Sequence, residues 1–518
     1  DALGKQSELP YILGLQESVV IGMADGFGRA TGQLTACNVH VAPGLGNAMG
    51  AIYNAAFTNT PMIITAGQQE QGHGLMEPLL YDPLVPIAQP VVKWATEINR
   101  LQDLPRIVRR AAKIATTPPT GPVFLSLPGD VLNDSAGIDH GVVTRVETRV
   151  VPSDSVLNDL SKRILRAKKP VVICGDELVR SDALSEAAEF AEILGAEVFQ
   201  QTVPYGAHFL SDHVCFMGTL SRDQKQVCEV LSSYDLMIVL GADALRMSVW
   251  SKIDPMPEGM PIIHIGLDDW EMGKNYAAEH AVYGDLKETL KSLASVIKKF
   301  GGEGLQARAA SYISGFEKKN WSQKRRELIL NIESEELTKP MSPDIFTLRL
   351  VEALPENAVV VHEGLTSTRY IHDLLSYKDR YSFHGFASGG IGWALPAAVG
   401  VQLANLNRPV CAVVGDGSSM YSIQALWTAA HLKLPITYVI ANNRSYKILK
   451  QRLKAFHNNS CFVGMDFNDP QIDFIGLARS FGMKGQRLSD PEEFKEALSL
   501  AMGSGEASLI EVIVDDKV

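Results

Sequence analysis

The 518-residue chain is 46% hydrophobic and 21% charged, which excludes a disordered protein and, at roughly 150 residues per domain, suggests about three domains. Its formal charge of −11 argues against nucleic acid and acidic membranes as partners. The six cysteines (37, 174, 215, 228, 411 and 461) show no C-x-x-C spacing and read as reduced core residues, not as a disulfide framework or zinc site. No apolar run reaches about 18 residues and no signal-like start is present, so a soluble, intracellular, cytoplasmic protein is expected.

Apolar strand-like runs alternate with helical patterns, which predicts an α/β protein of mainly parallel sheets flanked by helices. Breaks in composition suggest domains at 1–145, 151–320 and 338–518. In the first, the run Tyr11–Leu15 reads as a strand leading to Glu17, and Val19, Val20, Met23 and Phe27 follow at helical spacing. That context predicts a poorly solvated carboxylate in need of a partner. The plainer reading is an acidic residue favoured at a helix N-terminus. Asn38-Val39-His40 then precedes the Gly-rich turn Gly44-Leu45-Gly46, which enters a small-residue helix, and His73 lies in a Gly-His-Gly loop. The domain closes after the strand Pro122–Leu127 and the turn Pro128-Gly129-Asp130.

The second domain carries the strand-like runs Val171–Gly175, Leu236–Gly241 and Ile262–Ile265. None leads into G-x-G-x-x-G: Gly175-Asp176-Glu177 and Gly241-Ala242-Asp243 lack the glycines, which argues against FAD or NAD there. A charged stretch from Glu317 to Glu336 reads as a solvated helical connector. The third domain repeats the Gly-x-Gly entry to a helix at Gly390-Ile391-Gly392, a weak echo of the first.

The most informative stretch follows. Val410–Val414 reads as a buried parallel strand ending at Gly415-Asp416-Gly417, where α/β sheets bind ligands. Gly417-Ser418 is expected to open a helical stretch through Ala425, Leu426 and Ala429, turning backbone N–H groups toward an anion. After an interval of 24 residues, Asn442-Asn443 ends a second strand, Ile436–Ile440, that should lie beside the first. Asp416, the Asn443 amide and a backbone carbonyl of Arg444-Ser445 suit Mg²⁺, which takes hard oxygen ligands and completes its shell with phosphate and water. A bare Gly-Asp-Gly is also an ordinary capped turn.

This spacing, together with Leu15-Gln16-Glu17-Ser18, Asn47-Ala48-Met49-Gly50, Thr65–Gln69, Val92-Lys93-Trp94 and Gly389–Gly392, resembles the thiamine-diphosphate enzymes of the pyruvate decarboxylase and acetohydroxyacid synthase superfamily, most of all benzoylformate decarboxylase. The resemblance implies pyrimidine-binding, central and diphosphate-binding domains in that order, with thiamine diphosphate and Mg²⁺ as cofactors. Glu17 would hold the aminopyrimidine, and His40 would shuttle protons. Gly389, Ile391, Thr366, Gly415, Gly417, Ser418 and Tyr446 would line the cofactor; Asp416, Asn443 and Ser445 would hold the metal. Ile391 is equally compatible with core packing. The implied reaction is decarboxylation of a 2-oxo acid through a C2 ylide and an enamine. Joining that enamine to a second carbonyl, as acetolactate synthase does, is the alternative; a cofactor-binding, non-catalytic paralogue is another.

A dimer or tetramer with sites at the subunit interface is implied, with no nucleic-acid or membrane partner. Two departures stand out. The family carries a first strand and a Gly-Asn-Pro-Gly-Ser turn before the glutamate, whereas this chain begins at Asp1, and the second histidine of the benzoylformate enzymes maps to Arg246–Val249, where none exists. The segment Arg444–Arg452 is strongly cationic; Lys447 or Arg452 would engage a substrate anion, or the segment is a solvated helix face. His73 and His384 are lesser candidates, expected to face solvent.

Overall fold

The computed structural model describes residues 3–5 and 8–518. The chain divides into two compact units, Asp1–Arg145 with Leu337–Thr368 and Ser388–Val518, and Val146–Glu336 with Arg369–Ala387.

The first unit holds two parallel sheets. One runs Thr35–Val39, Met62–Gln68, Pro122–Pro128, Trp94–Glu97 in spatial order. The other runs Val359–Glu363, Val410–Gly415, Ile436–Asn442, Ser508–Ile513, Lys484–Leu488. Within it the run Val410–Val414 is completely buried, as expected where helices cover both faces.

The helices Glu17–Thr31 and Ala394–Ala404 pack backbone to backbone inside this unit. A Cβ on Gly26 would strike the Ala397 backbone, and one on Gly400 the Met23 carbonyl, so glycine is required for the approach at both positions. Asp25 anchors the same contact: it is buried and accepts bonds from Trp393 Nε1, Thr58 and Thr60. Burial raises its carboxyl pKa, against the pull of Arg29, whose guanidinium lies 4.5 Å over the Trp393 ring.

The second unit contains a parallel sheet in the order His280–Tyr283, Ile262–Gly266, Leu236–Leu240, Pro170–Cys174, Glu197–Gln200, Phe216–Thr219. Together the molecule has three parallel sheets flanked by helices, as the alternation predicts. Among the described residues, no helix is long and apolar enough to cross a membrane.

Four local expectations are corrected. Tyr11–Leu15 forms no strand: Tyr11, Leu13 and Leu15 are exposed, and the Leu13 carbonyl takes the Thr428 hydroxyl at 3.0 Å instead of a sheet neighbour. The Gly-rich segment Gly44–Gly46 lies within the helix Val41–Phe57, not in a turn before it. The connector is not simply solvated: its helix Trp321–Glu333 buries Trp321, whose indole donates to the His372 carbonyl at 2.9 Å. Cys228 and Cys461 stand outside the core, while the other four cysteines are buried.

Candidate active site

Parallel register brings the strand ends together. Glu363 lies opposite Val414, and Gly415 opposite Ala441, so Asp416 and Asn443 follow directly from adjacent strands. Asn443 Oδ1 accepts the Ser445 amide at 3.0 Å, an Asx-type turn completed by Arg444 at a left-handed φ of 55°. Asn443 Nδ2 donates to Ser367 at 3.3 Å, which draws the Leu365–Thr368 turn, and Thr366 with it, to the same place.

Asp416 is 3% exposed. One carboxylate oxygen accepts the Gly417 amide at 2.8 Å, while Oδ2 is buried with no hydrogen-bond partner among the described residues. Burial pushes this carboxyl up to about 6, although backbone N–H groups of Gly417, Arg444 and Ser445 favour the charge. A buried oxygen in need of a positive partner fits a cation ligand. Among the described residues no group of three His, Cys, Asp or Glu side chains could hold a metal, so an ion here would draw its remaining ligands from amide or backbone oxygens, phosphate and water. Gly417 is required by its surroundings: a Cβ there would sit 2.6 Å from Tyr446 Cε1, and that ring stands edge-on to Phe467 at 4.6 Å.

The expected continuous helix from Gly417 is interrupted. Asp416–Ser419 forms a single turn, and the helix resumes at Ala425–His431. What braces the segment is Glu363, which sequence reasoning missed. This fully buried carboxylate accepts the amides of Gly392, Trp393 and Ala394 at 2.7, 2.8 and 2.7 Å, and it also bonds Ser418. It therefore ties the Gly415–Ser418 turn to the turn carrying Gly389 and Ile391. Burial raises it to about 7 in spite of those donors. Its signal was available: a carboxylate closing an apolar run just before a glycine, the same pattern as Asp416.

Gly389 has φ of 91° and open space where a Cβ would be, and Ile391 is only half-buried, which disfavours its core-packing alternative. On the N-terminal side, Glu17 and His40 meet around Gly44. A Cβ on Gly44 would lie 2.7 Å from Glu17 Oε1 and 3.1 Å from the His40 Cβ. Glu17 is half-buried and takes the Asn47 amide at 3.3 Å, so it is better solvated than its sequence context predicts. His40 is exposed. Glu17 and Asp416 belong to separate groups: among the described residues no hydrogen bond or ion pair joins Glu17 to the Asp416–Asn443 turn.

Two cations of the segment Arg444–Arg452 are committed, while Arg452 is half-buried. Lys447 is 5% exposed and donates to the Asp515 carbonyl at 2.8 Å, and the buried Lys450 pairs with Asp466. Neither is a solvated face, and Lys447 is not poised for a substrate anion. His73 is exposed, whereas His384 is buried, against expectation.

In the second unit, Gly175, Gly241 and Gly266 mark neighbouring strand ends, but the crevice is filled. The Glu177 carboxylate lies 2.9 Å from where a Cβ of Gly266 would stand and accepts the Leu267 amide at 2.7 Å. Burial raises its carboxyl to about 7. In the Arg246–Val249 segment, Arg246 is held by Asp243 and Glu271 at 3.1 and 2.8 Å.

Three family models match the chain: the N-terminal domain of thiamine pyrophosphate enzymes at residues 1–79, their central domain at 157–293 and their C-terminal domain at 366–512. The chain belongs to the thiamine pyrophosphate enzymes, a family with both decarboxylase and carboligase members. It is 31% identical to a benzoylformate decarboxylase of Pseudomonas aeruginosa, covering 97% of this chain and 91% of that one. It is 26% identical to an acetolactate synthase large subunit of Buchnera aphidicola, covering 100% and 90%. Among solved structures it is similar to a thiamine diphosphate-dependent 4-hydroxybenzoylformate decarboxylase of Rhodococcus jostii, with a TM-score of 0.88, 30% identity, and 99% and 94% coverage. A benzoylformate decarboxylase of Polynucleobacter necessarius superposes with a TM-score of 0.87 at 30% identity, covering 99% and 93%.

Proposed function

We propose that the protein is a magnesium-dependent lyase that decarboxylates a 2-oxo acid with thiamine diphosphate. The observation that carries this reading is that Glu17, the first residue of one helix, and His40, at the N-cap position of another, both lie beside Gly44, placing a carboxylate near an exposed proton carrier. The domains at 1–145, 151–320 and 338–518 would bind the pyrimidine, form the centre and bind the diphosphate. Asp416, Asn443 and Ser445 would hold Mg²⁺, supported by the unpartnered Asp416 Oδ2. Gly415, Gly417, Ser418, Thr366 and Tyr446 would line the diphosphate, with Gly389 and Ile391 beside the rings. When bound, the cofactor supplies a nucleophilic carbon and an electron sink for carboxylate loss.

Glu17 would hold the pyrimidine by a hydrogen bond, and His40 would deliver or remove a proton. Self-association into a dimer or tetramer is supported by the exposed apolar residues Leu9, Tyr11, Leu13 and Leu15, 45–64% accessible, directly ahead of Glu17. A cytoplasmic location is part of the same proposal.

Carboligation is the second reading. The engagement of Arg246 with two carboxylates, where the relatives' second histidine maps, favours it, because one proton-handling group fewer would slow protonation. The deciding experiment incubates the protein, Mg²⁺ and thiamine diphosphate with aryl, alkyl and dicarboxylic 2-oxo acids and quantifies carbon dioxide, aldehyde and 2-hydroxyketone. Aldehyde matching carbon dioxide supports decarboxylation. Hydroxyketone in stoichiometric amount supports ligation, and no turnover with any acid rejects both.

A further inference from the structure

We propose that Asn54 is a positioning residue that braces the Ser388–Gly390 turn and so sets the Gly389 carbonyl and the Ile391 side chain. The proposal rests on the reading that Gly389 and Ile391 face thiamine diphosphate. Asn54 lies on the helix Val41–Phe57, far from this turn in sequence, and is 7% exposed. Its Nδ2 donates to the Gly390 carbonyl at 2.8 Å, and its Oδ1 accepts the Ser388 hydroxyl. Ser388 Oγ in turn accepts the Gly390 amide at 3.2 Å. Both ends of the Asn54 amide are thus spent on one turn. A core asparagine that merely satisfied its own helix would bond within that helix.

The turn needs such a brace. Gly389 and Gly392 both have positive φ, 91° and 96°, and nothing lies within 4 Å of the Cβ position on Gly389. Glycine has the most backbone freedom to lose on ordering. Glu363 restrains its C-terminal flank through the amides of residues 392–394. Asn54 restrains the other flank, and Gly389 and Ile391 stand between the two clamps. The fit is close: a Cβ on Gly390 would lie 2.9 Å from Asn54 Oδ1, so the amide occupies the space a side chain would take. An aspartate at 54 would keep the acceptor for Ser388 and lose the donor to Gly390, facing its carbonyl with an oxygen instead.

The test compares wild type, Asn54→Asp, Asn54→Leu, Ser388→Ala and the Asn54→Leu/Ser388→Ala double variant. Cofactor affinity is read with Mg²⁺ by quenching of tryptophan fluorescence, kcat and KM on a turned-over 2-oxo acid, and hydrogen exchange of the 386–393 segment in apoprotein. Expected is faster exchange in that segment, an affinity roughly tenfold lower, a fall in kcat exceeding any rise in KM, and non-additive effects of the two positions. Wild-type exchange and affinity in Asn54→Asp and Asn54→Leu would overturn the proposal, as would losses that merely follow a lowered melting temperature while exchange in the segment is unchanged. Wild-type protein that binds no thiamine diphosphate would reject the cofactor reading and Asn54's role toward it, while the exchange arm still decides whether Asn54 braces the turn.

Discussion

Glu17 and Gly44 are in steric contact: a Cβ on Gly44 would lie 2.7 Å from Glu17 Oε1. Gly44 is buried inside the helix Val41–Phe57, where alanine would ordinarily gain about 1 kcal/mol over glycine. Gly44→Ala is therefore expected to fold with near-normal stability while displacing the carboxylate, so kcat should fall at least about tenfold at a melting temperature close to wild type. Glu17→Gln should lower kcat by orders of magnitude and retain most of the cofactor affinity. Steady-state kinetics beside thermal melts check both, and full activity in Glu17→Gln would sink the assignment.

The burial of Asp416 should cost stability when no cation is bound. Its carboxyl is raised to about 6 from 3.8 by burial, so the group favours folding below pH 3.8 and loses that contribution as pH rises through 6. In metal-free protein, Asp416→Asn should match or exceed wild-type stability at pH 7.5, by up to about 3 kcal/mol, with the advantage shrinking toward pH 4. The same variant should lose Mg²⁺-dependent cofactor binding. Denaturant melts at both pH values, with and without Mg²⁺ and thiamine diphosphate, test the pair of outcomes. A variant destabilised equally at both would refute the buried-charge account.

Glu177 gives an independent case in the second unit. Raised from 4.5 to about 7, it is neutral and stabilising below pH 4.5, and its contribution declines as pH climbs through 7. Glu177→Gln should remain folded and flatten the pH dependence of stability between pH 4.5 and 8, by up to about 3 kcal/mol across that window. An unchanged slope would show that Glu177 ionises without penalty in the crevice. Because the side chain fills the space beside Gly266, wild type and variant alike are expected to bind no FAD or NAD, which titration calorimetry checks.

Lys447 serves the fold. Lys447→Met removes the donor to the Asp515 carbonyl and should lower stability by about 1–3 kcal/mol. Relative kcat/KM values for aryl and dicarboxylic 2-oxo acids should stay the same. A selective loss against the dicarboxylic acids would return Lys447 to the substrate pocket.

The amino-acid sequence alone determined the class of fold, because uninterrupted apolar runs such as Val410–Val414 can be satisfied only where both faces are covered. It also carried the Gly-Asp-Gly and Asn-Asn motifs of the family resemblance, which end adjacent strands. Tertiary structure alone decided which apolar and charged residues are covered. Tyr11–Leu15 has strand-like composition yet remains at the surface without a sheet partner, and Lys447 belongs to a cationic run yet is buried. Composition reports what a residue would gain by burial, not whether a neighbour arrives to bury it. Glu363 and Asn54 make the same point at the candidate site. Their roles depend on amides and carbonyls tens or hundreds of residues away, and only the packed chain brings those groups within hydrogen-bonding distance.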